Sequence, residues 1–207
     1  MTSYTRLLSE FSCATTADEI PAGALEATRR LVVDTLGCAV GGTGVPSSDI
    51  VTRVRAAGPA EATLLVDGAR VGLLPAVHVN AHRANALDAE ETIRHSGHLA
   101  AATVLPALAV AEQAGSSGAE FAAAVCVGFD VAARIALSLR TLDTTPDGRT
   151  VISPVAGSSW AAFAAAVAAG RLLGLSPEAM ANAFGITVAS APMRSRAAGE
   201  CRPHPGP

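Results

Sequence analysis

Lysine is missing from this sequence altogether: all fifteen basic residues among the 207 are arginine. Any mechanism that needs a lysine amine, as a Schiff base or as a proton donor, is excluded for these residues. Aromatic side chains are nearly as scarce, at 3% of the sequence, so a core must be assembled from small side chains on closely approaching helices. Cysteine occurs four times, at Cys13, Cys38, Cys126 and Cys201, with no C-x-x-C pair. That spacing indicates neither a zinc site nor a disulfide framework, and buried free thiols are expected. No basic segment followed by an apolar stretch opens the chain, so no signal peptide is read and a cytoplasmic location is expected. A formal net charge of −3 provides no basic field to draw in a phosphate backbone, and nucleic acid is not expected as a partner.

What the chain has in quantity is alanine, in runs such as Ala122–Ala124 and Ala164–Ala166, within a composition that is half hydrophobic. Alanine is the strongest helix former, and the expected fold class is all-α: an Ala-rich multi-helix domain with at most one small β-hairpin. The most apolar stretch, Ser158 to Leu175, is mostly alanine, carries Gly170 and Arg171, and is short of the ~20 residues that cross a bilayer. It reads as a buried core helix, and no membrane partner is expected.

Apolar residues at spacings of three and four predict helices from Tyr4 to Cys13 and from about Ala24 to the Gly41-Gly42 pair. A further helix is predicted through Arg55, capped by Ser47-Ser48-Asp49 and ended by Gly58-Pro59. Ala62 to Val71, with Asp67-Gly68 at its centre, reads as a small hairpin. Helices follow from Leu73 to about Ala89, Leu99 to Ala114 and Gly118 to Leu139, with Gly115-Ser116-Ser117-Gly118 as break and cap. Leu142 to Pro154 reads as a loop. Ser158–Leu173 and Ser176–Ser190 then form a helical pair turned at Gly174-Leu175-Ser176-Pro177. The helical domain is assigned to residues 1–192, and the Arg-, Gly- and Pro-rich residues 193–207 to a disordered or loosely packed tail.

Chemistry-bearing residues concentrate between His78 and His98, where four of the five histidines join Asn80, Asn85, Asp88, Glu90, Glu91, Thr92 and Arg94. Asp88 and Thr92 stand four apart and would share a face if the helix continued, with His95 and His98 in a stretch broken by Gly97. A carboxylate, a hydroxyl and imidazoles at a helix end suit acid–base work on a small anionic substrate. Spacing alone leaves open a purely structural use as an N-cap, a solvated acidic face and surface histidines. His78 and His82 are four apart, as helical zinc ligands can be, but no acid follows His78 as the metalloprotease motif requires. No metal site is assigned.

From Asn80 to Ala111 the sequence reads N-A-H-R-A-N-A-L-D-A-E-E-T-I-R-H-S-G-H-L-A-A-A-T-V-L-P-A-L-A-V-A. It resembles the signature of the MmgE/PrpD family, which includes 2-methylcitrate dehydratase and cis-aconitate decarboxylase. In that family an Asn-led helix enters H-A-L-D-F/Y-D-D-T, then H-P, then V-P-A-A/L-L-A-L/V-A-E. Gly115 to Ile135 and Arg171-Leu172-Leu173-Gly174-Leu175 resemble later helices of the family, so the resemblance covers nearly the whole chain. It implies that Asp88, Thr92 and His98 are the catalytic residues, while Glu90 and Glu91 replace the family's two following aspartates. The implied reaction is cofactor-free: a proton is removed next to a carboxylate, and water or carbon dioxide is lost. His98 would be the acid or base, Asp88 would orient it or a substrate hydroxyl, and Thr92 would donate a hydrogen bond. The small-molecule carboxylate substrate would be held by Asn80, by Arg94 through its charge alone, and by His204.

Family members also carry a histidine in an H-P-T loop, where this chain has Val151-Ile152-Ser153-Pro154-Val155 with Ser153 as the nearest counterpart. Their glycine-rich K-x-L-H-x-G segment matches here at His204 and Gly206, but the lysine falls on Cys201 or Arg202. The family's α/β lid domain lies beyond the matched region, and the chain is expected to be a truncated form whose open cleft weakens catalysis. A non-catalytic remnant or interaction subunit is the competing expectation, and an epimerase, isomerase or cyclase of the same family is a third. Apolar surface left bare by the lid implies a homodimer.

Overall fold

The computed structural model describes residues 3–93, 96–139, 142–152 and 159–190. The periodic segments become helices α1 (Tyr4–Ala14), α2 (Ala22–Gly42), α3 (Pro46–Arg55), α4 (Leu73–Asn85), α5 (Ala100–Ala114), α6 (Gly118–Leu139), α7 (Ser159–Leu172) and α8 (Pro177–Ser190). The protein is mostly α, as expected. A short 3-10 turn, Ala17–Glu19, precedes α2.

The breaks between helices carry their own chemistry. Gly115 ends α5 in the left-handed region at φ 66°, where a glycine avoids the Cβ penalty. Two residues on, the Ser117 backbone N–H and hydroxyl donate to the Glu120 carboxylate at 2.7 and 2.8 Å. The Ser117 hydroxyl also accepts the Glu120 amide at 3.2 Å, closing a capping box at the start of α6. The α7–α8 turn works similarly: Gly174 takes φ 68°, and Ser176 Oγ accepts the Ala179 amide at 3.2 Å, with Pro177 beginning α8.

Three expectations are corrected. α3 begins at Pro46, because proline is pre-set for the first helical position, and Ser48 is buried inside the helix rather than capping it. α4 stops at Asn85, short of Ala89, because Asp88 turns into the left-handed region at φ 50°. Residues 142–152 are not a plain loop: β3 (Leu142–Thr144) pairs antiparallel with β4 (Thr150–Ile152). Pro146-Asp147-Gly148 closes that hairpin, with Gly148 at φ 83° and the Thr145 amide donating to the Arg149 carbonyl at 2.9 Å. It adds a second hairpin to the one expected, β1 (Ala62–Thr63) with β2 (Arg70–Val71).

That first hairpin is pinned to α4 by two buried polar residues three apart on one face. Asn80 accepts the Leu65 amide and donates to the Thr63 carbonyl, both at 2.9 Å. Arg83, 3% exposed, donates to the Leu65 carbonyl at 2.6 Å, Thr52 Oγ1 at 3.1 Å and the Asp67 carboxylate at 2.6 Å. Small residues let the helices approach. A Cβ on Gly128 of α6 would lie 2.9 Å from the Ala164 carbonyl oxygen of α7. α5, α6 and α7 pack together around Val104, Leu105, Val125 and Ala168. A second cluster of Val127, Val131, Val167, Met180 and Phe184 joins α6 to α7 and α8.

Among the described residues α6 is long and apolar enough, by length and composition, to cross a membrane. Its Ala123, Val127, Val131 and Ala132 are buried in the core instead. Cys13, Cys38 and Cys126 are free and half-buried, less enclosed than expected. Cys201 and the whole tail from 193 lie outside the described residues.

Candidate active site

The site is a loop between two helix ends. After α4, the Asp88 amide donates to the Asn85 carbonyl at 3.0 Å, and Asn85 Nδ2 donates to Glu90 Oε1 at 2.6 Å. Asp88 and Thr92 therefore do not share a helix face, as a continuing helix would have required; the loop brings them together by another route. Ile93 and Gly97 exchange backbone hydrogen bonds at 2.9 and 3.1 Å, a tight closure that needs Gly97 at φ 126°. Leu99, fully buried with Ala132, Ala136, Trp160 and Ala164, and the partly buried Ile93 anchor this closure in the core. His98 is held at the rim.

His98 receives neighbours on both ring nitrogens. Nδ1 lies 2.8 Å from the Glu91 carbonyl oxygen and 3.1 Å from that of Glu90. A carbonyl oxygen can only accept, so Nδ1 must carry a proton. Thr92 Oγ1 stands 3.4 Å from the same nitrogen, a long contact. Nε2 faces Asp88 Oδ1 at 3.3 Å. In the neutral ring that would set a lone pair against a carboxylate, so the pair favours a doubly protonated imidazole. Burial opposes the His98 charge, yet the Glu91 and Glu90 carbonyls together with the Glu90 and Asp88 carboxylates outweigh it, and its pKa is raised above the ordinary value. Asp88 itself is open, its side chain 81% exposed, so the Nε2 side of the pair is accessible from solvent.

Two glutamates that the sequence placed in the cluster without a role complete the site. Glu91 accepts the Leu99 amide at 2.8 Å on one oxygen and the Ala100 amide at 2.7 Å on the other. Burial pushes its carboxyl above the ordinary range, against those two hydrogen bonds and the His98 charge, which hold it down. Glu90 is 4% exposed, and its Oε2 has no hydrogen-bond partner. The signal for both was the place they take from the family's aspartates. Their partners are five to nine residues away along an irregular loop, which no helical or strand periodicity encodes.

The remaining candidates separate from this group. Asn80 uses its amide on the hairpin backbone. Arg94, His95, Ser153, Arg202 and His204 lie outside the described residues. His78 is exposed on α4, and His82 Nε2 meets Ser47 Oγ at 3.1 Å; among the described residues no three His, Cys, Asp or Glu side chains are grouped as a metal site requires. A cleft of about 390 Å³ lies between Cys13, Glu120, Arg171 and Leu175, away from Asp88, Thr92 and His98. Arg171 donates through Nη1 and Nη2 to the Ser12 and Thr15 carbonyls at the end of α1, its Nε being buried without a hydrogen-bond partner among the described residues, and Glu120 caps α6.

Over 182 residues, 84% of its length, the chain is 29% identical to the cis-aconitate decarboxylase of Aspergillus terreus and to that of Aspergillus terreus strain NIH 2624 / FGSC A1156. The alignment takes in 36% of each relative, so the chain spans about a third of the length of the curated relatives it matches. The model of the MmgE/PrpD N-terminal domain matches residues 6–204, a span that holds the whole His98 loop, and the chain belongs to the MmgE/PrpD family.

Proposed function

We propose that this chain carries the acid–base half of a lyase site, acting on a small hydroxy- or unsaturated polycarboxylate without a cofactor. One observation supports this above the others: His98 has its Nδ1 proton committed to backbone carbonyls and its Nε2 turned towards an exposed carboxylate. Nε2 is then the atom that exchanges protons with substrate, as an acid while charged and as a base once neutral. Asp88 holds the imidazolium and orients the ring. Thr92 supplies a hydroxyl for the substrate's oxygen, and Arg94 and His204 would hold its carboxylates, whereas the Asn80 amide is already taken by the Thr63 and Leu65 backbone. In a dehydration the C–H electron pair forms the new double bond, the proton goes to a base, and the hydroxyl leaves as water with the proton from the acid. In a decarboxylation the C–C pair left by departing carbon dioxide is protonated instead.

The reading extends to a cytoplasmic homodimer that binds neither nucleic acid nor membrane. A second reading has a specific observation behind it: Asp88 is so exposed that its charge works in water, where it is worth little. On that reading the chain is a non-catalytic or interaction subunit. An epimerase, isomerase or cyclase reaction would use the same proton-transfer pair.

The test incubates the purified chain with a panel of small hydroxy- and unsaturated polycarboxylates, following double-bond absorbance and carbon dioxide release beside a His98→Ala control. Slow turnover is expected, lowered by about 10²–10⁴-fold in the control. Turnover unaffected by His98→Ala would overturn the assignment of His98. No turnover on any substrate would favour the subunit reading.

A further inference from the structure

We infer that Glu91 is a positioning residue for His98, closing the loop into a clasp that fixes which ring nitrogen faces the substrate. The inference rests on the proposed acid–base role of His98. Three contacts carry it. The side chain of Glu91 takes the amides of Leu99 and Ala100, one on each carboxylate oxygen. Its own main-chain carbonyl accepts the proton of His98 Nδ1. One residue thus grips the histidine ring and the two residues that follow it, from seven to nine positions upstream.

The sequence gives α5 no cap of its own. Its N-cap position is Leu99, which has no side-chain oxygen, and the helix starts directly in the alanine run of Ala100 to Ala102. The free amides there need an acceptor, and a carboxylate is favoured at a helix N-terminus. Glu91 meets that need from a distance. Because Leu99 is fully buried, the far end of the grip cannot slide, and the carbonyl at the near end is set against the imidazole. Without the side-chain grip, the backbone at Glu91 would be free to turn its carbonyl away. Nδ1 would then lose the closer of its two carbonyl acceptors, keeping only that of Glu90 at 3.1 Å, while the Asp88 carboxylate draws the proton towards Nε2. The ring would populate both tautomers.

The charged groups facing His98 from the described residues are Asp88, Glu90 and Glu91, of which a Glu91→Gln variant removes only the last. Nitrogen-15 NMR of the full chain reads the tautomer and titration of His98 directly, with no substrate present. In the unaltered protein the neutral form is expected to be protonated on Nδ1 and free on Nε2. In Glu91→Ala the two tautomers should mix, and amide exchange at Leu99 and Ala100 should accelerate by about 2- to 30-fold, the range for loss of a capping side chain. Glu91→Gln keeps one acceptor oxygen and should fall between the two, which also serves if the alanine variant does not fold. A His98 ring that keeps a single Nδ1–H tautomer in a folded Glu91→Ala or Glu91→Gln protein overturns the inference. The two ideas fail separately: a locked tautomer in a chain without turnover sinks the catalytic role and leaves the clasp, and a mixed tautomer in the unaltered, active chain does the reverse.

Discussion

Asp88 and His98, ten positions apart on either side of a tight backbone closure, meet with Oδ1 and Nε2 3.3 Å from each other. Burial disfavours the His98 charge, but the Glu91 carbonyl, the Glu90 and Asp88 carboxylates and the Glu90 carbonyl together outweigh it and raise the His98 pKa in the folded protein, which links stability to pH. A group whose folded pKa is raised contributes stability fully below its unfolded value, about 6.5 for histidine, and loses it as pH rises through the folded value. The melting temperature should therefore decline across that window, and His98→Gln should flatten the decline. Asp88→Asn should remove part of it while changing stability at neutral pH by less than about 1 kcal/mol, since so exposed a pair is well screened. A Tm–pH curve of the same shape in all three proteins would refute the linkage.

A methyl group is not tolerated where α2 crosses α4. A Cβ on Gly42 would strike the main-chain carbonyl of Arg83, a backbone atom that cannot rotate away. Gly42→Ala should destabilise by about 1–3 kcal/mol as overpacking does, a drop of roughly 2–4 °C in Tm per kcal/mol for a chain of this size. Gly37, with nothing within 4 Å of its Cβ position, is the control, and Gly37→Ala should be neutral or stabilising. Equal melting of the two variants would show that the crossing relaxes freely.

α1 packs Leu8 partly buried against the core but leaves an apolar stripe outside. It buries Ser9 and Ser12 while Tyr4, Leu7 and Phe11, spaced at three and four, stand 84%, 47% and 40% exposed. An apolar stripe in that position fits burial against a second copy of the chain. Light scattering at micromolar concentration should give a dimer, and Phe11→Glu should shift it towards monomer. A clean monomer before substitution would dispose of the dimer.

No three metal-binding side chains are grouped among the described residues. Added zinc, or a chelator, is therefore expected to leave the melting temperature unchanged. A shift of several degrees with zinc would point to ligands the sequence reading did not weigh.

Helix positions were readable because alanine content, apolar spacing and capping residues all act locally. Gly115, the Ser117–Glu120 box and Ser176-Pro177 each did in the structure what their types predict. The errors fell where local signals competed. Ser48 looked like a cap but lost to Pro46, and the pattern running to Ala89 gave no warning of Asp88 in the left-handed region. The stretch from Leu142 to Pro154 was legible as a loop but not as a hairpin, because β3 and β4 are only three residues each.

By itself the sequence determined the helical class and most helix ends, since these rest on residue type and short spacing, while the family and the grouping of Asp88, Thr92 and His98 came from resemblance to a known signature. Only the tertiary structure decided how that group is arranged. Which histidine nitrogen is free depends on the Glu91 carbonyl, and whether Asn80 faces a substrate or a hairpin depends on where Thr63 and Leu65 lie. Such choices are made by contacts between segments that an irregular loop and helix packing bring together, and no periodicity along the chain records them.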